Sequence, residues 1–143
     1  MAHLEASLGK DVIGKDGSTV EVSSLVDYEL LGVYFSAQWC TPCRNFTPVL
    51  TDCYNKLNAA GKRWEIIFIS LDKDEETCKE HYESMPWLLF PFENDLKEQL
   101  SDKYGVTAIP TLLLLDPKTG DLVSDNGIDL VEQDPSGDKF PWK

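Results

Sequence analysis

Two cysteines three positions apart, in Trp39-Cys40-Thr41-Pro42-Cys43, have the residue type and spacing to do chemistry. Such a pair can close a small disulfide and reopen it by thiol–disulfide exchange. An apolar run precedes the pair and a helical pattern follows it, which predicts a strand-to-helix junction with Cys40 at the helix N-terminus. Unpaired N–H groups and the positive end of the helix dipole favour a thiolate there. A thiol with a pKa near 8.5 is only about 3% ionised at pH 7, whereas one lowered to about 7 is half ionised. Cys43 lies one turn further in, within bonding reach but less accessible. This asymmetry assigns attack to Cys40 and resolution to Cys43, and Arg44 adds a positive charge that favours the thiolate.

The competing reading of a C-x-x-C pair is half of a zinc site, which needs two more ligands at close spacing. The candidates are Cys53, Cys78, His3 and His81, and no two of them form a knuckle. The sequence therefore predicts no metal and no bound cofactor. Cys53 falls on the apolar face of the predicted helix and reads as an inert core thiol. Cys78 shares a side with Tyr82 and Met85 and reads as semi-buried, with regulation the minority role. Neither histidine has a hydrolase context, since His3 is near the terminus and His81 is on a charged helix. Asp72-Lys73-Asp74-Glu75-Glu76 could hold a cation but reads better as the cap and acidic first turn of a helix. Trp87, Phe90, Phe92, Phe140 and Trp142 read as packing.

The elements that position the pair follow from hydropathy. Leu30 to Ser36 is a short apolar run suited to a strand buried on both faces, as are Trp64 to Leu71 and Thr111 to Leu115. From Pro42, residues Phe46, Val49, Leu50, Cys53 and Leu57 follow helical spacing, with Gly61 as terminator and Pro48 expected to kink the helix. Asp74 to Ser84 and Asn94 to Tyr104 are predicted helices, the first broken by Met85-Pro86-Trp87 and the second ended by Gly105. Lys15-Asp16-Gly17 between Asp11–Ile13 and Thr19–Val22 predicts an N-terminal hairpin. Asp116 to Gly120 is turn chemistry before a strand near Asp121 to Ser124, and Asp134 to Lys143 reads as a turn with an aromatic tail. This order describes an α/β fold, a mixed sheet with helices on both faces.

The chain has 143 residues, 42% of them hydrophobic, which fits a single domain over 1–143. No apolar run approaches the roughly 20 residues that span a bilayer. Met1-Ala2-His3-Leu4-Glu5 has no signal-peptide character, so a soluble, cytoplasmic or nuclear protein is expected. Lys and Arg number 13 against 25 Asp and Glu, a net charge of −12. Nucleic acid and membrane surfaces are therefore disfavoured partners.

These residues resemble the thioredoxin superfamily, through the run Leu30–Ser36, Trp39-Cys40-Thr41-Pro42-Cys43, and Ala108-Ile109-Pro110-Thr111 before a terminal hairpin. Within it the chain looks most like the tryparedoxin and nucleoredoxin branch. That likeness rests on Tyr34-Phe35-Ser36-Ala37-Gln38-Trp39-Cys40, Phe46-Thr47-Pro48, Met85-Pro86-Trp87 with Phe90-Pro91-Phe92, and Phe140-Pro141-Trp142. The resemblance implies a thioredoxin-like fold, Cys40 as nucleophile and Cys43 as resolving cysteine. It also implies Pro110 as a cis-proline facing the disulfide and Trp39 as its aromatic flank. A cis-proline there would turn the Ile109 backbone outward to pair with an extended substrate strand. Trp39, Thr41, Pro42, Ile109 and Pro110 are thus the candidate substrate-contact residues.

Two positions depart from the family pattern. Thr41-Pro42 replaces the branch's usual Pro-Pro and thioredoxin's Gly-Pro. Tyr34 stands where thioredoxin carries a buried Asp, which leaves the proton acceptor for Cys43 open between water and a carboxylate. The expected activity is reduction of disulfides in proteins, peroxiredoxins among them, by a monomer recharged by a dithiol or flavoprotein donor. Trypanothione, glutathione and a flavoprotein thioredoxin reductase all fit as donor. The alternative is a redox-gated binding module of nucleoredoxin type with little turnover.

Overall fold

In the computed structural model, which describes residues 8–59, 61, 63–92 and 96–142, seven strands form one sheet. They are β1 (Asp11–Ile13), β2 (Thr19–Glu21), β3 (Leu30–Ser36), β4 (Trp64–Ser70), β5 (Leu88–Leu89), β6 (Thr111–Leu115) and β7 (Leu122–Ser124). The helices are α1 (Thr41–Asn58), α2 (Glu75–Tyr82), α3 (Leu96–Lys103) and α4 (Gly127–Gln133), and a 3-10 segment covers Val22–Asp27. The strand order is β2-β1-β5-β4-β3-β6-β7. β3 runs parallel to β4, with Leu30 opposite Trp64 and Ser36 opposite Ser70, and antiparallel to β6, with Phe35 opposite Thr111.

Every residue of β3 and β4 is buried, as continuous apolar runs in a sheet covered on both faces require. Side-chain alternation then divides the core. Tyr34, Phe68, Leu112 and Leu114 face one side with Phe46, Leu50, Tyr82, Trp87 and Val131, so α1, α2 and α4 cover that face. Val33, Phe35, Ile67, Ile69 and Leu113 face the other side with Leu25, Phe90 and Leu100, where α3 packs. Burial of each such side chain contributes roughly 1.5–3 kcal/mol, which holds α1 on the sheet through Phe46, Leu50 and Leu57. α1 continues through Pro48. Among the described residues no helix is long and apolar enough to cross a membrane.

Several elements differ from the sequence expectation. β5 is only two residues long and follows Pro86, too short for any periodicity to show. α4 starts at Gly127, in a stretch to which the sequence reading assigns no element. A Cβ there would lie 2.6 Å from the Leu112 carbonyl oxygen, so the helix approaches β6 closely enough to need glycine. α3 begins at Leu96 among the described residues; Asn94 lies outside them, as does His3. α2 is shorter than expected at both ends: Asp74 caps it, accepting from the Thr77 N–H at 2.8 Å, and Tyr82 is its last residue. Cys78 is fully buried rather than semi-buried.

Candidate active site

β3 and β4 end side by side at Ser36 and Ser70, and the chain leaves β3 through Ala37-Gln38-Trp39 into α1. Loops beyond the carboxyl ends of parallel strands are the usual place for a site in such sheets. Buried Asp72 holds this loop in place. Its Oδ1 accepts from the Gln38 N–H at 2.7 Å, and its Oδ2 accepts from the Ser70 hydroxyl at 2.6 Å. Trp39 Nε1 donates to the Leu71 carbonyl at 3.3 Å, yet the ring is 60% exposed. The acidic stretch thus anchors a loop and caps a helix.

Cys40 is the N-cap of α1, with extended backbone, and its sulfur accepts from the Cys43 N–H at 3.3 Å. A sulfur in that place faces the unpaired amides of the first turn, where negative charge is favoured. Pro42 sits in the first turn, where its missing N–H removes no helical bond. Cys40 is 7% exposed and Cys43 is fully buried behind it, the order of access that the sequence suggested. The Cys40 thiol donates to the Ile109 carbonyl at 3.8 Å. That proximity follows from register: Thr111 pairs with Phe35, so the segment before β6 crosses the end of β3. The Ile109–Pro110 peptide is cis. Trp39, Cys40, Leu71, Val106, Ala108 and Ile109 line an open, largely apolar groove.

Thr41 and Pro42 are exposed on the first turn of α1, and Ile109 and Pro110 are half-buried across from it. Trp39, Thr41 and Pro42 thus flank Cys40 in the chain, and the Ile109 carbonyl approaches its sulfur with Pro110 next in sequence. Arg44 is exposed, with its guanidinium donating to Thr41 Oγ1 at 3.0 Å.

Burial first, and then the neighbouring Cys40, push the Cys43 thiol up to about 11; the Ala37 backbone and the Ser36 side chain act in the opposite direction. Burial also raises Cys53 to about 11 and raises Cys78, so neither presents a thiolate near neutral pH. Tyr34 lies behind Cys43, hydrogen-bonded to Thr47 Oγ1 at 2.8 Å and donating to the Cys43 carbonyl at 3.3 Å. Burial pushes its hydroxyl up to about 12. The arrangement can accept a disulfide at Cys40, hold a covalent adduct, and break it from Cys43.

Sequence reasoning missed two residues of this neighbourhood. Ser36 follows Tyr34 by two, so it faces α1. His81 follows Cys78 by three and precedes Tyr82, which puts it on the buried side of the charged helix α2. That spacing was the available signal. Among the described residues no group of three or more His, Cys, Asp or Glu could hold a metal ion.

A family model described as Thioredoxin-like matches residues 27–122. The chain is 41% identical to nucleoredoxin of Homo sapiens over 132 residues, 92% of this chain but 30% of that protein. It therefore spans under a third of the nucleoredoxin it matches. Among solved structures, tryparedoxin from Trypanosoma brucei superposes with a TM-score of 0.90 at 37% identity, covering 98% of this chain and 97% of that one. Tryparedoxin II complexed with glutathionylspermidine gives a TM-score of 0.89 at 33% identity, with 98% of each chain covered.

Proposed function

The chain belongs to the thioredoxin superfamily, in its tryparedoxin and nucleoredoxin branch, and on that premise we propose that it is a thiol–disulfide oxidoreductase that reduces disulfides in proteins. The observation that carries the reading is the unequal placement of the two sulfurs. Cys40 caps a helix at the edge of an apolar groove, while Cys43 is sealed behind it with its N–H on the Cys40 sulfur.

The Cys40 thiolate attacks one sulfur of a substrate disulfide, forming a Cys40–substrate bond and expelling the other substrate sulfur as a thiolate. Cys43, once deprotonated, attacks the Cys40 sulfur, forming the Cys40–Cys43 disulfide and releasing the second substrate thiolate. The substrate gains two electrons and takes up protons, and the enzyme dithiol is oxidised. A donor dithiol reverses the enzyme's change. Ile109 offers its backbone, and Trp39 and the groove offer apolar surface, so recognition favours an extended segment over particular side chains. Peroxiredoxins are among the expected substrates. Glutathionylspermidine in the related structure supports a small thiol as donor, to be compared with trypanothione, glutathione and a flavoprotein thioredoxin reductase one at a time.

Reduction of insulin with dithiothreitol as donor tests the proposal. Turnover well above the uncatalysed rate, lost in Cys40→Ser, is expected. Exposed Trp39 also suits a redox-gated docking surface. Partner binding that follows the state of the pair, without turnover on insulin or a peroxiredoxin disulfide, would replace the enzyme reading with that one.

A further inference from the structure

The oxidoreductase reading asks that Cys43, sealed behind Cys40, strike the Cys40 sulfur once the mixed disulfide has formed. Attack of sulfur on sulfur needs a close, aligned approach, so a small misplacement of Cys43 costs rate. Cys43 belongs to the first turn of α1, and that turn is joined to the rest of the helix by one ladder bond fewer than usual. Pro48 has no N–H to meet the Arg44 carbonyl four residues back, although the helix runs through it. A turn joined in this way gains from a second anchor.

Two buried hydroxyls meet at the Cys43 carbonyl. Thr47 Oγ1 donates to it at 2.9 Å, and the Tyr34 phenol donates to it at 3.3 Å. The two hydroxyl oxygens also lie 2.8 Å apart, so the phenol proton is shared between Thr47 Oγ1 and the carbonyl. At the other end of the residue, the Cys43 N–H is engaged on the Cys40 sulfur at 3.3 Å. Cys43 is thus held through both of its backbone polar groups.

The phenol is a fixed reference because the core fixes its ring. Tyr34 is fully buried in the middle of the sheet, opposite Phe68 on β4 and Leu112 on β6. Its ring meets Trp87 edge-on with centroids 6.0 Å apart, and packs against Phe46 and Phe68 at 5.9 and 6.3 Å. A ring so enclosed cannot swing without opening the core. It carries the position of the sheet to the turn that bears the inner thiol.

Resting on the oxidoreductase reading, we propose that Tyr34 and Thr47 are positioning residues for the resolving step, their hydroxyls holding the Cys43 backbone so that its sulfur stays aimed at Cys40. Both act through the Cys43 carbonyl rather than on a sulfur. In the step itself the Cys43 proton passes to water and the Cys43 thiolate forms a bond to the Cys40 sulfur. The Cys40–substrate bond breaks, and its electron pair leaves with the substrate sulfur. The phenol gives up no proton, since burial pushes it up to about 12.

Rapid mixing of the reduced protein with Ellman's disulfide separates the two attacks. The first thiolate released reports Cys40 and depends on reagent concentration; the second reports Cys43 and does not. Tyr34→Phe and Thr47→Val each delete one hydroxyl with little change of shape. Each should slow the second phase by about threefold or more, and the double variant by about tenfold or more, with the first phase unchanged. Thr47→Ser keeps the hydroxyl and should resolve at close to the wild-type rate. The slowing should be the same factor from about pH 6 to pH 9, because position, unlike acidity, does not titrate. Tyr54→Phe removes another phenol of the core, one that donates to Glu65 Oε1 at 2.9 Å, and should lower the urea midpoint while leaving both phases alone.

A wild-type second phase in the double variant overturns the proposal; if that protein does not fold, wild-type second phases in both single variants do so. Equal slowing of both phases overturns it as general loosening, and so does a slowed second phase in Tyr54→Phe. A Thr47→Ser protein as slow as Thr47→Val overturns it in favour of packing, and a factor that changes with pH overturns it in favour of thiol acidity. In each of these cases the first phase preserves the oxidoreductase reading. Absence of the first phase from the wild type overturns the oxidoreductase reading itself.

Discussion

The backbone N–H of Cys43 points at the sulfur of Cys40 across 3.3 Å, so the first turn of α1 both orders the two thiols and places an amide donor on the outer one. In the proposed mechanism the donor belongs to the residue that later attacks that sulfur. Helix geometry therefore sets the order in which the two thiols are reached from solvent.

Alkylation should follow this order. Iodoacetamide at pH 7 should modify Cys40 well before Cys43, because the Cys43 thiol is buried and pushed up to about 11. Peptide mass spectrometry over a time course reads the sites. Earlier labelling at Cys43 would reverse the assigned roles.

Trapping separates attack from resolution. Cys43→Ser keeps the nucleophile and removes the thiol that ejects the substrate, so mixed disulfides should accumulate and survive non-reducing electrophoresis. Cys40→Ser should trap almost none, since Cys43 has no exposed surface. Equal trapping by both variants would mean that access does not distinguish the thiols.

Asp72 is expected to act as a tether. Asp72→Ala strips an acceptor from the Gln38 N–H and from the Ser70 hydroxyl, and should cost about 1–3 kcal/mol in urea unfolding. It should also lower kcat/KM for insulin by letting Trp39 and Cys40 drift. Wild-type stability with wild-type kinetics would show that the loop is held by other contacts.

Cys53 and Cys78 should be silent in turnover. Both are buried with raised thiols, so Cys53→Ala and Cys78→Ala should keep near-normal insulin reduction. Each should still lose about 1 kcal/mol of stability from the smaller side chain. A mixed disulfide through Cys78 would instead make that residue regulatory.

His81 should leave a mark on acid stability. Its pKa is lowered in the folded state, mainly by burial, so the unfolded chain binds more protons between the folded value and 6.5. Stability from this group is therefore complete above 6.5 and declines as pH falls through that window. Urea midpoints from pH 7 down to about pH 5 should fall more steeply in the wild type than in His81→Gln. Parallel slopes would mean that the ring titrates alike in both states.

The sequence by itself determined the sheet centre and the placement of the cysteine pair. Leu30–Ser36 and Thr111–Leu115 carry enough consecutive apolar side chains that only strands covered on both faces can bury them, and both appear at those bounds. The Cys40–Cys43 spacing, with a strand before it and Pro42 after it, likewise placed the outer cysteine at a helix start through local geometry alone. What only the tertiary structure decided depends on contacts between distant residues. Ile109 reaches Cys40 because Thr111 pairs with Phe35, and Asp72 reaches Gln38 because Ser36 and Ser70 end their strands together. His81 looked like part of a charged helix, since Lys79, Glu80 and Glu83 surround it in the chain. Its partner Ser36 lies 45 residues away, and only the packing of α2 on the sheet turns the ring inward toward that hydroxyl. Local hydropathy records which side of a helix is apolar, but a polar group facing the core is made affordable only by the partner it meets there.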